Sequence, residues 1–216
     1  MAPRVEADAP FTDIRYIEKM LQGTDTWLAQ GVVAAFRPED FLDLDEKTRE
    51  ALTRAVTEFL AAAHSVPPKQ PATKEQRDAG MRPFMQIVQI VQGLLRDDWM
   101  RASSGLLGEA EAWAKEAGWP CKRYAKAVTE DFIGNYNQDR LVFSAEGAQL
   151  ALVPVGRFAP GTDGMFDLAV MPAYDSVMTV RHGNRWFLHR LPGDEERQDW
   201  SKEAFLNTSL ELARLP

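Results

Sequence analysis

The chain has 216 residues, 45% apolar and 26% charged, a composition close to the globular average and long enough to bury a sizeable core, which excludes wholesale disorder. A formal charge of −7 leaves no surplus of Lys and Arg to neutralise a phosphate backbone, so nucleic acid is not an expected partner. The single cysteine, Cys121, allows no intrachain disulfide, and no apolar run approaches the roughly 18 residues of a membrane span, so a soluble cytoplasmic protein without membrane contact is expected.

Residues 1–11 read as a flexible arm, because Glu6 and Asp8 interrupt any apolar core of a leader. Helical spacing then joins Ile14, Ile17, Met20 and Leu21, and a short second helix is expected around Trp27, Leu28 and Val32. Asp43 with Glu46 forms a capping-box-like start for a third helix, whose stripe is Ala51, Leu52, Ala55, Val56, Phe59 and Leu60. His64 falls at its end, where a cation suits the helix dipole. Pro67, Pro68 and Pro71 mark a stiff connector.

Thr73 and Gln76 supply another capping pair, and Pro83 opens or kinks the helix that follows. Phe84, Ile87, Val88, Val91 and Leu95 cover more than one face of that helix, while Gln86, Gln89 and Gln92 set a three-residue period. Trp99, Leu106, Leu107 and Trp113 extend the helical half to Gly118. Tyr124, Val128, Phe132 and Ile133 fit one more helix, ended by Gly134.

Beyond Gly134 the period changes to two. Strands are expected at 141–144, 150–155, 166–171, 177–181 and 185–191, separated by Glu146–Gly147, the run from Pro160 to Gly164, and Gly183–Asn184. Ser201 can cap a last helix carrying Phe205, Leu206, Leu210 and Leu212. The predicted fold is α+β: a helical N-terminal half (12–133) packed on a four- to five-stranded antiparallel sheet (134–192), closed by a helix at 201–214, all in one domain, 12–216. Phe59, Ile87, Val91, Val153, Leu168 and Trp186 are the expected core markers.

Of the three histidines, His182 and His189 share a hairpin in which a two-residue turn pairs His182 with Arg185, Val180 with Phe187 and Met178 with His189. That register holds the two imidazoles on the order of 13 Å apart, too far to share a metal ion. No metal site and no cofactor are therefore expected. Glu130, Asp163 and Asp167 are the catalytic alternative: carboxylates at sheet ends can hold Mg²⁺ for hydrolysis. Glu130 and Asp167 would resemble the first two acids of a restriction-endonuclease-like core. The next strand, Val177 to Arg181, lacks the acid and lysine that such a core requires. Cys121 beside Lys122 and Arg123 is a nucleophile only if its thiol pKa is lowered.

The leading expectation is an accessory protein that binds another protein and has no catalytic activity. Its contact surface would be the sheet end of Arg157, Asp163, Asp167 and Tyr174 with the hairpin tip His182–Arg185, since turn-rich ends are where loops gather. Trp200 beside a charged run is a further candidate contact. The alternatives are a metal-dependent, nuclease-like hydrolase using the acids above, and a small-ligand-binding domain with its pocket between helix layer and sheet.

Overall fold

A computed structural model describes residues 44–65, 73–130, 133–159, 161–172, 175–189 and 197–215. The arm at 1–11, the two helices expected before residue 36, Asp43, the prolines of the connector, Phe132 and Tyr174 lie outside the described residues. The chain divides into two compact units, one up to Leu95 and one from Arg96 onward.

In the first unit, helix α1 (Glu46–His64) starts at Asp45, whose carboxylate accepts from the Thr48 amide at 3.0 Å and its hydroxyl at 2.6 Å. The observed cap is therefore two residues beyond Asp43. Leu52, Ala55 and Val56 form its buried stripe, while Glu50, Arg54 and Glu58 are exposed. Helix α2 (Lys74–Glu116) opens with a reciprocal capping box: Thr73 N donates to Gln76 Oε1 at 2.9 Å, and Gln76 N donates to Thr73 Oγ1 at 3.2 Å. This cap starts the helix well before Pro83, which lies inside it rather than at its opening. Phe84, Ile87, Val88, Val91 and Leu95 are buried, Gln86 and Gln89 are exposed, and Phe59 meets Phe84 with ring centroids 6.0 Å apart.

The remainder of α2 belongs to the second unit and continues the three-and-four spacing through Trp99, Ser103, Leu106, Leu107, Ala110 and Ala114, all buried. It stops where Gly118 takes φ 74°: Trp119 N donates to Ala114 O and Gly118 N to Lys115 O, a Schellman closure that only a residue tolerant of positive φ can make.

The sheet that follows has seven strands, not four or five: β1 (Cys121–Glu130), β2 (Gly134–Ala145), β3 (Ala148–Gly156), β4 (Met165–Met171), β5 (Ser176–His182), β6 (Arg185–His189) and β7 (Gln198–Asp199). Each pairs antiparallel with the next, in sequence order. The helix expected over Tyr124–Ile133 is instead strand β1, so the helical segment ends before Cys121 and the sheet begins 13 residues earlier than the expected boundary at 134. A spacing of four is shared by a helical face and by one side of a strand, so Tyr124 and Val128 could not separate the two. Gly134 does adopt positive φ (75°), but as the first residue of β2, where it pairs with Glu130. At Glu146–Gly147 both residues have positive φ (48° and 85°), the requirement of a two-residue hairpin turn. The β5–β6 register is the expected one, pairing Met178 with His189, Val180 with Phe187 and His182 with Arg185.

Helix α3 (Lys202–Ala213) is capped by Ser201, whose hydroxyl accepts from Ala204 N. Phe205, fully buried, sits 5.4 Å from Phe143 and 5.5 Å from Trp200, and Trp119 stacks on Phe143 at 5.8 Å. Burying such rings contributes about 1.5–3 kcal/mol each. Of the core markers, Ile87, Val91 and Leu168 are buried, whereas Phe59, Val153 and Trp186 are partly exposed. Register explains Val153: it opposes Asp167, while Leu152 opposes Leu168 on the other side of the pleat.

Candidate functional site

The turn-rich sheet end holds most of the sequence-predicted site residues, and it is built as a polar lock. Glu130, at the end of β1, accepts hydrogen bonds from the backbone amides of Arg157 (3.0 Å) and Phe158 (2.9 Å) and from the Tyr136 hydroxyl. That hydroxyl in turn accepts from Trp99 Nε1 at 2.9 Å. Burial and the Glu130 hydrogen bond push the Tyr136 phenol well above its usual range. One carboxylate thus satisfies two amides of the segment leaving β3, groups that would be costly to bury unmade.

Asp163 is also inside. Its carboxylate accepts from Gly183 N at 2.7 Å and faces Arg157 Nη1 at 3.7 Å, its amide donates to Arg181 O, and both Arg157 and Asp163 are buried. Gly164 follows with φ 143°, and a β-carbon there would lie 2.1 Å from the Trp99 ring. The expected contact surface therefore loses Arg157 and Asp163, whose side chains face inward. Asp167 is half-buried on β4. Burial raises its pKa against the opposing charge of Lys126, whose Nζ donates to Pro154 O. Glu130, Asp163 and Asp167 are not brought together as ligands, and among the described residues no group of three or more His, Cys, Asp or Glu could hold a metal ion.

Cys121 is partly buried, and burial together with the Glu111 charge pushes its thiol pKa up, the opposite of what an activated nucleophile needs. Trp200 packs against Trp113 and Phe205 and donates to Glu109, so it is committed to the fold more than to solvent.

The hairpin tip does reach a site. Residues of α2 and of the β5–β6 hairpin enclose an open cleft of about 300 Å³. Asp98, Arg101, Gly105 and Glu109 line the helical wall, and Arg181, Asn184 and Trp186 the other. Arg181 is buried and held in a two-pronged ion pair, Nη1 to Asp98 Oδ2 at 2.6 Å and Nη2 to Asp98 Oδ1 at 3.1 Å. Burial pushes the Asp98 carboxyl up, but the Arg181 hydrogen bonds and the charges of Arg181, Arg157 and Arg101 outweigh it and hold the pKa below the ordinary value. Trp186 rests its ring 6.0 Å from Trp99 and 5.9 Å from Phe166. Gly105 is exposed, with open space where a side chain would stand. The cleft thus offers an anchored guanidinium, an indole wall, and Arg101 and Asn184 exposed at its rim.

Of the expected surface, Asn184 lines this cleft; His182 contacts the Phe187 ring at 5.9 Å, and Arg185 pairs with Asp199 on the surface. Asp98, Arg101 and Trp186 escaped sequence reasoning as site residues. Asp98 and Arg181 are 83 residues apart, and no local pattern links them. Compared with known proteins, the chain matches no family model, no curated protein and no solved structure. Among the described residues no helix is long and apolar enough to cross a membrane.

Proposed function

We propose that this protein acts by binding another protein, without catalysing a reaction, and that the cleft between α2 and the β5–β6 hairpin is the contact site. The observation that carries this reading is the engagement of two of the three candidate catalytic acids: Glu130 and Asp163 hold backbone amides, while the cleft presents preorganised side chains and is left open by the described residues. Fixed polar groups beside an aromatic wall lower the entropy lost on association. Arg and Trp are also the side chains that most often dominate protein contacts.

A small ligand is the second reading, favoured by the cleft's volume, which lies at the lower end of ligand sites.

Gly105→Leu separates binding from folding. It fills the cleft from the helix side and replaces a helical glycine, a change worth a few tenths to about 1 kcal/mol in favour of the helix. With a photoreactive side chain at position 184, a protein should cross-link to the wild-type background and not to Gly105→Leu. Cross-linking unchanged by Gly105→Leu would remove the cleft from the reading. A small molecule retained by the wild type in native mass spectrometry and absent from Gly105→Leu would establish the second reading instead. Mg²⁺- or Mn²⁺-dependent hydrolysis of DNA or RNA, abolished in a folded Glu130→Gln variant, would overturn the non-catalytic assignment.

A further inference from the structure

Strand β1 is a ten-residue strand at one end of the sheet order, the opposite end being the two-residue β7. Which of its backbone groups face outward follows from one bond. Ser144 N donates to Pro120 O, and the β1–β2 register pairs Cys121 with Phe143, so residue 120 stands opposite 144 in a hydrogen-bonded pair. Such pairs alternate along an antiparallel ladder, so even-numbered residues of β1 bond to β2. The N–H and C=O groups of Cys121, Arg123, Ala125, Ala127 and Thr129 point away from the sheet.

Three of these, Ala125, Ala127 and Thr129, are exposed, small and uncharged. Edge strands usually carry a guard such as an outward lysine, a proline or a bulge. Lys126 is turned back onto Pro154 O, Arg123 is tied to Glu111 at 2.7 Å, and the β1–β2 register runs without a shift. Beside the edge, Tyr124 is 42% exposed, with Lys122 Nζ 5.2 Å and the Arg140 guanidinium 5.8 Å from its ring centre. On a protein of net charge −7, this is a local cationic and aromatic strip along a ladder that no other described strand extends.

We infer that β1 is a docking edge that accepts an extended, acidic segment of a partner protein as an eighth strand. Main-chain hydrogen bonds from the odd-numbered residues supply the register, and Lys122 and Arg140 select acidic side chains at alternate positions. A second copy of this chain is the poorer occupant, because pairing β1 with itself brings together two cationic strips, each carrying Lys122 and Arg140. This surface is separate from the cleft, and each can fail without the other.

The test uses the full chain and a fluorescent peptide of about ten residues alternating Glu with Val and Thr, beside a counterpart with Lys in place of Glu. The acidic peptide should bind, more weakly as salt is raised, and the Lys peptide should not. Ala127→Pro removes one outward N–H without touching the ladder to β2, and should weaken binding about tenfold, as should Lys122→Glu with Arg140→Glu. Amide hydrogen exchange on the wild type gives a readout that needs no variant: Arg123, Ala125, Ala127 and Thr129 should gain protection on binding, with the even-numbered amides unchanged. Absence of acidic-peptide binding, equal binding of both peptides, or protection elsewhere than on the odd-numbered amides would overturn the proposal. A dimer in sedimentation that Ala127→Pro dissociates would replace the acidic partner with a second copy.

Discussion

In the turn from Arg157 to Gly164, carboxylates bond backbone amides, whereas beside the cleft Asp98 bonds only a side chain, the Arg181 guanidinium. Arginines and acids are present in both places. Glu130 and Asp163 fix the course of the chain, because amides of Arg157, Phe158 and Gly183 depend on them. Asp98 fixes one guanidinium and leaves the surrounding wall free to vary. Backbone-bound acids are thus placed for architecture and side-chain-bound acids for presentation, a distinction that residue type alone does not carry.

The largest effect expected on this contrast is at Gly164, in the architectural cluster. Gly164→Ala must bring a β-carbon into the Trp99 ring at 2.1 Å while holding φ 143°, and should cost about 3–5 kcal/mol by urea denaturation. A loss below about 1 kcal/mol would mean that the turn can relax, and that the lock is softer than its hydrogen bonds imply.

Next comes Asp98→Asn, which leaves the buried Arg181 without its charged partner. One side of the pair is partly exposed, so about 2 kcal/mol is expected rather than the larger cost of a fully buried pair. The pH dependence has a definite sign. The folded-state pKa of Asp98 lies below its unfolded value, so its contribution is fully present above the ordinary carboxylate range and is lost as pH falls through the folded pKa. The gap between wild type and Asp98→Asn should therefore close in acid. A gap independent of pH would show that shape, and not charge, holds Arg181.

The smallest effect is at Asp167, which bonds neither kind of partner. Its folded pKa is raised by burial, so its contribution is best below the unfolded pKa and is lost as pH rises through the folded one. Asp167→Asn should stabilise the protein at neutral pH by less than about 1 kcal/mol, given the exposure of the group, seen as a slightly higher thermal midpoint, and should do nothing in acid. Destabilisation at neutral pH would mean that the Lys126 charge outweighs burial.

Local chemistry was legible in the residues themselves. The Thr73–Gln76 box, the helix end near Gly118, the Ser201 cap and the His182–Arg185 register each occupy a few neighbouring positions, and each is present in the fold. Strand β1 was not legible, because its apolar spacing of four fits both periods. The site residues were the least legible. Glu130 reaches amides 27 and 28 residues away, and Arg181 reaches Asp98 across 83, so their partners follow from strand pairing and helix placement, which no window of sequence contains. The same distance explains why Arg157 and Asp163, polar residues in a turn, read as surface when they are interior.

The two indoles beside the cleft have an optical consequence. Trp99 is fully buried and Trp186 partly exposed, with ring centres 6.0 Å apart and planes at 46°. Chromophores this close and inclined couple their electronic transitions, and should add a paired positive and negative contribution to the circular dichroism beside that of the Trp113–Trp200 pair. Anything entering the cleft meets Trp186 and must disturb that couplet, so occupancy of the site carries its own label-free signal in the native chain.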